Sequence, residues 1–312
     1  MADAVITIEG LRKSYAGFEA VRGLDLEVER GEIFAFLGPN GAGKTTTVEI
    51  LEGYRKRTSG EVTVLGEDPS HASRSWRERI GIVLQQCKMP PELTVRETLE
   101  QYAGYFRDSR PVDETIGLVG LEHKADDRAG KLSGGQQRRL DVAVALIGDP
   151  ELLFLDEPTT GFDPTARRQA WKVISNLRDL GKTVFLTTHY MEEAQYLADR
   201  AAIIVRGEVI AEGRPDELGR TTGADTEIRF RIPDGVATGE LPRAFDRADA
   251  ENGSLTLRTA EPVRALNQLT TWAIERGFEL PSLEVGRPSL EDIYLELTGP
   301  SEAGGREQEG DG

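Results

Sequence analysis

The stretch GPNGAGKT, from Gly38 to Thr45, restricts the possible folds of this chain more than any other segment. It fits the pattern G-x-x-x-x-G-K-[ST], in which glycines let the backbone bend until several N–H groups point inward at an anion. The apolar run IFAFL precedes it, and the helix-like segment TTTVEILEGY follows it. This order of strand, loop and helix predicts an α/β core with a phosphate-binding loop at the end of a buried strand.

The residues of this loop predict how a nucleotide is bound. Lys44 is expected to reach the β- and γ-phosphates, and the hydroxyl of Thr45 is expected to bind Mg²⁺. The alternative is an ordinary glycine-rich turn, but a chance match in a chain of this length is expected in only about 1% of cases. The segment expected to contact the nucleotide comprises Gly38, Pro39, Asn40, Gly41, Ala42, Gly43, Lys44, Thr45 and Thr46.

Two more continuous apolar runs, LLFLD and TVFLTT, are typical of strands buried on both faces of a parallel sheet. Between them, PTARRQAWKVISNLRDLG has apolar residues at helical spacing and a closing glycine. The first run ends in Asp156, which Glu157 follows. Because ligands of open α/β sheets bind beyond the carboxyl ends of the strands, Asp156 is expected to hold Mg²⁺. Glu157 is expected to orient or deprotonate an attacking water.

The segment KLSGGQQRRLDVAVALIGDP, from Lys131 to Pro150, indicates a second anion site. Ser133 precedes a glycine-rich turn that opens a helix, and the unpaired N–H groups of a helix start attract anions. Since the first loop already supplies one set of N–H groups, a second set can reach the same nucleotide only from another direction. A two-fold dimer provides this for both copies, so Ser133, Gly134 and Gly135 are expected at the γ-phosphate of the partner's ATP. The alternative is a capped helix start without a ligand.

The patterns along the chain predict two domains and a tail. The first domain, over residues 1–222, contains the α/β core. Near its start VITIEGLRKSYAGFEAVRGLDLEVERGEI predicts antiparallel strands with one wet face, and AAIIVRGEVIAEG predicts a hairpin that turns at Arg206-Gly207. Residues 76–132 are interpreted as a mostly helical insertion. A small β/α domain is expected over 225–298, and the Gly-rich acidic residues 299–312 are expected to be disordered.

Charge and cysteine content exclude several classes of protein. The net charge of −16 argues against nucleic acid as the main partner, because phosphate backbones require a basic face. Cys87 is the single cysteine, so no internal disulfide is expected, and three separated histidines disfavour a Cys/His metal cluster. The sequence contains no run of 18 apolar residues, so we expect no transmembrane helix.

Together these segments resemble the ATP-binding subunits of ABC transporters. The motifs GPNGAGKT, LSGGQ, LLFLDEP, TGFDP and TTH stand in the order and at the spacing of that family, over roughly residues 5–220. The resemblance implies an α/β fold: a P-loop NTPase core with an antiparallel β subdomain, a helical insertion and a small C-terminal β/α domain. It also implies ATP hydrolysis, with ATP and Mg²⁺ bound between two copies of the chain.

The resemblance further implies roles that the residues alone do not assign. Tyr15 matches the aromatic residue that stacks on adenine, and Asp163 matches the acidic residue that communicates across the dimer. His189 matches the histidine that contacts the γ-phosphate and holds the attacking water. The implied catalytic set comprises Lys44, Gln85, Glu157 and His189. Gln85 matches the glutamine that senses Mg²⁺ and the membrane partner, with the adjacent Gln86 left open as the alternative. Gln136 completes the LSGGQ motif that contacts the partner's nucleotide.

The C-terminal stretch RPSLEDIYLELTG is similar to the tail of ATPase subunits of ABC-2 type exporters, including the daunorubicin-resistance multidrug group. This implies a motor subunit that drives export of a drug-like, antibiotic or lipid-like substrate through a separate multi-span permease. Its place would be the cytoplasmic face of the cell membrane. The segment from Gln85 through CKMPPELTVRETL would form the groove that grips a short helix of the permease.

Two other functions are weighed against this one. The first is a soluble ATPase switch that acts on DNA or ribosomes, which the single cassette, the short insertion and the acidic balance disfavour. The second is a binding module that has lost catalysis, which the intact set of Lys44, Asp156, Glu157 and His189 disfavours.

Overall fold

The computed structural model describes residues 3–84, 89–218, 226–233, 236, 238–245, 248–251 and 254–286. The chain divides into two compact units, Met1–Pro215 and Asp216–Gly312. The strands described in the first unit are β1 (Ala4–Tyr15), β2 (Phe18–Glu29), β3 (Ile33–Leu37), β4 (Ser59–Val64), β5 (Ile80–Val83), β6 (Leu152–Asp156), β7 (Thr183–Thr188), β8 (Arg200–Val205) and β9 (Glu208–Gly213). The α-helices described there are α1 (Lys44–Leu51), α2 (Arg74–Glu78), α3 (Val95–Ala103), α4 (Val112–Leu118), α5 (Gly134–Leu146), α6 (Pro164–Asp179) and α7 (Met191–Leu197).

The central sheet of the first unit has the strand order β5-β6-β7-β3-β8-β9, in which only β9 pairs antiparallel. Every residue of β3, β6 and β7 is buried, which confirms the prediction of strands covered on both faces. Phe185 packs against Phe34, Phe36 and Phe154 with ring centroids 5.6 to 5.9 Å apart. Since these strands are parallel, the loop after β3, Asp156 at the end of β6 and the residues after β7 lie at one edge of the sheet.

A separate antiparallel sheet has the order β2-β1-β4. On β2, buried residues such as Leu26 and Val28 alternate with the exposed Glu27 and Glu29. The prediction of antiparallel strands with one solvent-exposed face is therefore confirmed.

The predicted hairpin of β8 and β9 is also confirmed. It turns at Arg206 and Gly207, whose φ angles are 51° and 85°. Positive φ at both central residues is the geometry of a two-residue type I′ turn, which matches the twist of the flanking strands.

The region predicted as a mostly helical insertion, 76–132, needs a correction at its start. It does contain α3 and α4, but Ile80–Val83 forms β5, which pairs parallel with β6 at the edge of the central sheet. A run as short as IGIV cannot be told from a buried helical segment by its periodicity. Ile80–Val83 becomes a strand because it hydrogen-bonds to the edge of β6.

The second unit has its own sheet and core. Strands β10 (Thr226–Arg231), β11 (Asp249–Glu251), β12 (Ser254–Thr259) and β13 (Glu284–Gly286) form an antiparallel sheet in the order β11-β12-β10-β13. Helix α8 (Pro262–Arg276) buries Ala265 and Leu269 in a cluster with Ile228 and Phe230. The strands predicted over TEIRFRI and SLTLRT and the helix predicted over PVRALNQLTTWAIERG are confirmed, whereas the strand predicted over FELPSLEV is limited to β13. The segment SLEDIYLEL and residues 299–312 lie outside the described residues.

Candidate active site

The glycine loop between β3 and α1 depends on backbone positions that only glycine can occupy. A Cβ atom on Gly38 would lie 2.3 Å from the backbone oxygen of Ile204, and one on Gly43 would lie 2.6 Å from that of Ala20. Gly43 also has φ = 108°, in the left-handed region where side chains are strained. These contacts hold the loop against β8 and β2, so that its shape is set before any ligand arrives.

Lys44, the first residue of α1, is buried at the base of this loop, with only 5% of its surface exposed. Its Nζ donates to the backbone oxygen of Gly38 at 2.6 Å and to that of Pro39 at 3.2 Å. Burial lowers the pKa of Lys44, while the nearby Glu157 opposes this change. The backbone carbonyl oxygens thus surround the ammonium group much as the oxygens of a phosphate could do.

Asp156 and Glu157 are held by the neighbouring strand β7. The hydroxyl of Thr187 donates to Asp156 Oδ1 at 2.5 Å. The same Thr187 also accepts from the backbone N–H of Glu157, at 3.0 Å through its hydroxyl and 3.2 Å through its carbonyl oxygen. Glu157 has φ = 45°, a left-handed conformation that is costly for a residue with a side chain and is typical of functional turns. Thr187 therefore fixes the directions of both carboxylates.

Glu157 lies between the two basic residues of the site. Its Oε1 is 3.6 Å from Lys44 Nζ and 3.3 Å from His189 Nδ1. The neighbouring imidazole of His189 and the charge of Lys44 lower the pKa of Glu157 to about 2, against the opposing effect of burial. A carboxylate with such a pKa is a weak proton acceptor at neutral pH. If the side chains of Lys44 and His189 moved away to contact a phosphate group, the pKa of Glu157 would rise and Glu157 would become a better base.

The helix start at Ser133 is built as a capping box. Ser133 Oγ accepts from the N–H of Gln136 at 3.4 Å, and Gln136 Oε1 accepts from the N–H of Ser133 at 2.9 Å. A hydroxyl that accepts one hydrogen bond can still donate its proton. Next to it, a Cβ atom on Gly134 would meet nothing within 4 Å. The sequence prediction of a helix N-terminus at Ser133 is confirmed, and its hydrogen bonds are made within the helix start itself.

Arg138, on the first half of α5, was not singled out by the sequence and connects this helix to the turn of Glu157. It is buried and donates to the backbone oxygens of Asp156 at 2.8 Å and Pro158 at 3.2 Å. It also donates to the backbone oxygen of Leu84, immediately before Gln85 in the chain. One guanidinium group therefore joins the helix that begins at Ser133 to the turn that carries Glu157. Its neighbours Gln137 and Arg139 are polar, so the surrounding sequence gives no signal that Arg138 is buried.

The turn after Glu157 is anchored by a second group that the sequence did not indicate. Glu193 of α7 is fully buried, and its Oε1 accepts from the Thr159 hydroxyl and the Trp171 indole N–H, both at 2.9 Å. Burial raises the pKa of Glu193. These contacts tie α6 and α7 to the same turn.

The remaining residues implied by the resemblance are more dispersed. Tyr15 ends β1, and its ring lies 4.9 Å from Lys13 Nζ and 5.4 Å from Arg55 Cζ. Asp163 caps α6 by accepting from the N–H groups of Thr165 and Ala166, at 2.9 and 3.0 Å. Gln85 and its alternative Gln86 lie outside the described residues.

Comparison with known proteins agrees with this geometry. Residues 21–160 match the family model for the ABC transporter domain, and residues 226–289 match the model for the C-terminal domain of ABC transporter domain-containing proteins. The chain is 38% identical to the daunorubicin resistance ATP-binding protein of Streptomyces coeruleorubidus, over 96% of this chain and 97% of that protein. It is 40% identical to Nod factor export ATP-binding protein I of Rhizobium leguminosarum bv. viciae, over 96% of both chains.

Among solved structures, the fold is similar to a dimeric ATP-binding cassette in a post-hydrolysis state bound to ADP and Pi. The TM-score is 0.59 and the identity 27%, over 67% of this chain and 98% of that one. The described residues contain no helix that is both long and apolar enough to cross a membrane.

Proposed function

This chain belongs to the ABC transporter family, and from that premise we propose that it is the ATP-hydrolysing motor subunit of an exporter whose membrane-spanning part is a separate protein. The chain carries the ATPase cassette of this family along with the C-terminal domain of related proteins. The observation that carries the proposal is the cluster of Lys44, Glu157 and His189 at the edge of the sheet, directly beside the glycine loop. A binding module without catalysis would have no need for a carboxylate held in this position.

The residues present fit a nucleotide with Mg²⁺. The hydroxyl of Thr45 and the carboxylate of Asp156 are hard oxygen donors, which Mg²⁺ prefers. The described residues contain no cluster of three or more His, Cys, Asp or Glu side chains suited to a metal. A cation held by Thr45 and Asp156 would take its other ligands from phosphate oxygens and water, with Gln85 or Gln86 as a further ligand. When bound, Mg²⁺ supplies positive charge to the phosphates.

The contacts of the site suggest how its residues act on ATP. The ammonium of Lys44 exchanges the carbonyls of Gly38 and Pro39 for the β- and γ-phosphates, and His189 turns to the γ-phosphate. Glu157, released from both, orients the attacking water and accepts its proton. Thr187 and Arg138 keep the turn of Glu157 in place during this exchange, because both bind its backbone or that of its neighbours. Tyr15 stacks on the adenine.

The second half of the site comes from another copy of the chain. The Ser133 hydroxyl and the N–H groups of Gly134 and Gly135 would contact the γ-phosphate bound by the partner, with Gln136 beside them and Asp163 near the dimer contact. The capping box supports this, because it holds the helix start in shape while leaving a hydroxyl proton to donate. ATP then joins two cassettes, and hydrolysis releases them. Differential binding of ATP to the closed and open dimer supplies the conformational work.

Export through a separate permease is supported by the relatives, which are named for daunorubicin resistance and for Nod factor export. The proposed place of the chain is the cytoplasmic face of the membrane, where the permease holds it. A groove with a volume of about 270 Å³ is lined by Met89, Pro91, Ala129 and Leu140, among others. Met89 and Pro91 belong to the segment expected to grip a short helix of the permease.

The decisive experiment is the Glu157→Gln variant, purified with the membranes that contain the permease. Gln keeps the shape of Glu157 and cannot accept the proton of the water, so ATP still binds and a stable ATP-bound dimer accumulates. Chromatography with and without ATP and Mg²⁺, together with phosphate release, measures both effects. The matched control is Glu192→Gln, at an exposed glutamate of α7, which should behave as wild type. Hydrolysis at the wild-type rate by Glu157→Gln would refute the role given to this residue.

A further inference from the structure

Glu193 is a carboxyl group buried beside the site that takes no part in the proposed binding of ATP. It is the third residue of α7, and none of its surface is exposed. The adjacent Glu192 is exposed to solvent. Because an ionisable group in a buried position has lost its contact with water, its partners decide whether it can carry a charge.

The two carboxyl oxygens of Glu193 have different surroundings. Oε1 accepts from the Thr159 hydroxyl and from the Trp171 indole N–H, both at 2.9 Å. Oε2 is buried and has no hydrogen-bond partner among the described residues. An ionised carboxylate spreads its charge over both oxygens, and a buried, charged oxygen without a donor is costly. A neutral carboxylic acid fits this arrangement, because one oxygen accepts both hydrogen bonds while the other carries the proton.

The cation whose charge acts on Glu193 is Arg167 of α6. Its guanidinium carbon lies 4.3 Å from the centre of the Tyr190 ring, and its Nε has no hydrogen-bond partner among the described residues. Burial raises the pKa of Glu193, against the opposing effects of Thr188, Thr159, Trp171 and Arg167. The guanidinium group thus packs on an aromatic ring, beside a carboxyl group that burial keeps protonated.

The contacts of Glu193 connect the two segments that carry reacting groups. Thr159 lies in the turn that follows Glu157, whose own backbone has the costly left-handed conformation. At the other end, α7 begins directly after Tyr190, and the rings of Tyr190 and His189 have centroids 4.1 Å apart. Glu157 and His189 are themselves in contact, with Oε1 and Nδ1 3.3 Å apart. The length of that contact therefore depends on how α7 is held against the turn.

We propose that Glu193 is a positioning residue of the ATPase site, which as a neutral carboxylic acid holds the turn of Glu157 at a fixed distance from the segment of His189. The inference rests on the proposed function, since it assumes that Glu157 and His189 act on ATP. A charged Glu193 would attract the guanidinium group of Arg167 away from the Tyr190 ring and disturb the packing of His189. Glu193 does not contact the glycine loop, so its loss should lower kcat and leave the affinity for nucleotide unchanged.

The charge state is tested by infrared difference spectroscopy on the full chain at pH 7, as wild type minus Glu193→Gln. We expect the C=O stretching band of a buried carboxylic acid, shifted when H₂O is replaced by D₂O. Glu52, buried at the end of α1 on the wall of a cavity beside β5, is also neutral at this pH, because burial raises its pKa to about 8. Its band is present in both samples and cancels. Glu192→Gln is the matched control, and its difference spectrum should show the loss of a carboxylate band alone.

The positioning role is tested by ATP hydrolysis, with the full chain and membranes that contain the permease. Glu193→Ala should lower kcat by about tenfold or more, with little change in the KM for ATP, because it leaves two buried donors without an acceptor. Glu193→Gln keeps a neutral acceptor in place and should restore kcat to within about threefold of wild type. Thr159→Val has nearly the same shape and removes one of the two donors, so kcat should fall about fivefold.

Four results would overturn the inference. They are a carboxylate band in place of the acid band, a kcat of Glu193→Gln as low as that of Glu193→Ala, a wild-type kcat in Glu193→Ala, and a loss confined to KM. Melting temperatures show which variants fold, and if Glu193→Ala does not, a wild-type kcat in Thr159→Val overturns the inference instead. A wild-type protein that hydrolyses no ATP refutes the proposed function, and this inference with it. A wild-type protein that hydrolyses ATP without the acid band refutes this inference alone.

Discussion

Glu52 also predicts an unusual dependence of stability on pH. In the unfolded chain this carboxyl group has the ordinary pKa of 4.5, whereas in the folded cassette its pKa is about 8. Between these values the folded state holds a proton that the unfolded state has released. The free energy of unfolding therefore falls as pH rises from 4.5 to about 8. Above that pH the ionisation of Glu52 changes it no further.

The size of the effect follows from the pKa values. At pH 7 the pH lies about 2.5 units above the pKa of the unfolded state, and each unit is worth about 1.4 kcal/mol. The unfolded state therefore gains about 3.5 kcal/mol from ionisation of Glu52 that the folded cassette does not. At pH 5 the same gain is about 1 kcal/mol. Glu52→Gln cannot ionise and removes this gain. For a unit of this size we expect the melting temperature to rise by about 7 to 14 °C at pH 7 and by about 2 to 4 °C at pH 5.

The assay is thermal unfolding followed by circular dichroism, across pH 5 to 8 and without nucleotide, because bound ATP would add its own stabilisation. Glu61→Gln is the control, since it makes the same substitution at an exposed glutamate. A melting temperature of Glu52→Gln equal to that of wild type at pH 7, or a difference that does not change with pH, would refute the reasoning.

Three further predictions concern the nucleotide site. Lys44→Ala should weaken ATP binding at least tenfold, because it removes the charge from the base of the loop, whereas Lys172→Ala, at an exposed lysine of α6, should leave it unchanged; isothermal titration measures both. Arg138→Lys should lower kcat for ATP hydrolysis about tenfold with little change in KM, since one ammonium group cannot replace the contacts to Asp156, Pro158 and Leu84. Arg139→Lys is its control, because Arg139 binds the carbonyls of Val119 and Gly120 instead, and an equal loss of kcat in both variants would contradict the positioning role. In a Cys87→Ser background, cysteines at Ser133 and at the exposed Asn40 should form a cross-link between two chains only with ATP; Gly38 is unsuitable because any Cβ there meets Ile204. Links within single chains, or links independent of ATP, would argue against the dimer.

Local patterns in the sequence were sufficient for the elements that frame the site. The glycine loop, the three buried strands and the hairpin at Arg206 each depend on residues adjacent in the chain, and the structure confirms them. The edge strand β5 was missed because its apolar residues carry no periodicity and only the neighbouring β6 makes it a strand. The roles of Tyr15, Asp163 and His189 came from resemblance to a family, and they stay predictions.

By itself, the sequence determined that this chain has a glycine loop at the end of one buried strand and two carboxylates at the end of another. Those properties follow from short runs of residues whose chemistry is local. Only the tertiary structure decided that Glu157 lies between Lys44 and His189, that Arg138 joins the Ser133 helix to the turn of Glu157, and that Glu52 is buried on the wall of a cavity. Each of these depends on segments far apart in the chain, whose distance and burial are set when the sheet assembles and excludes water from its edge.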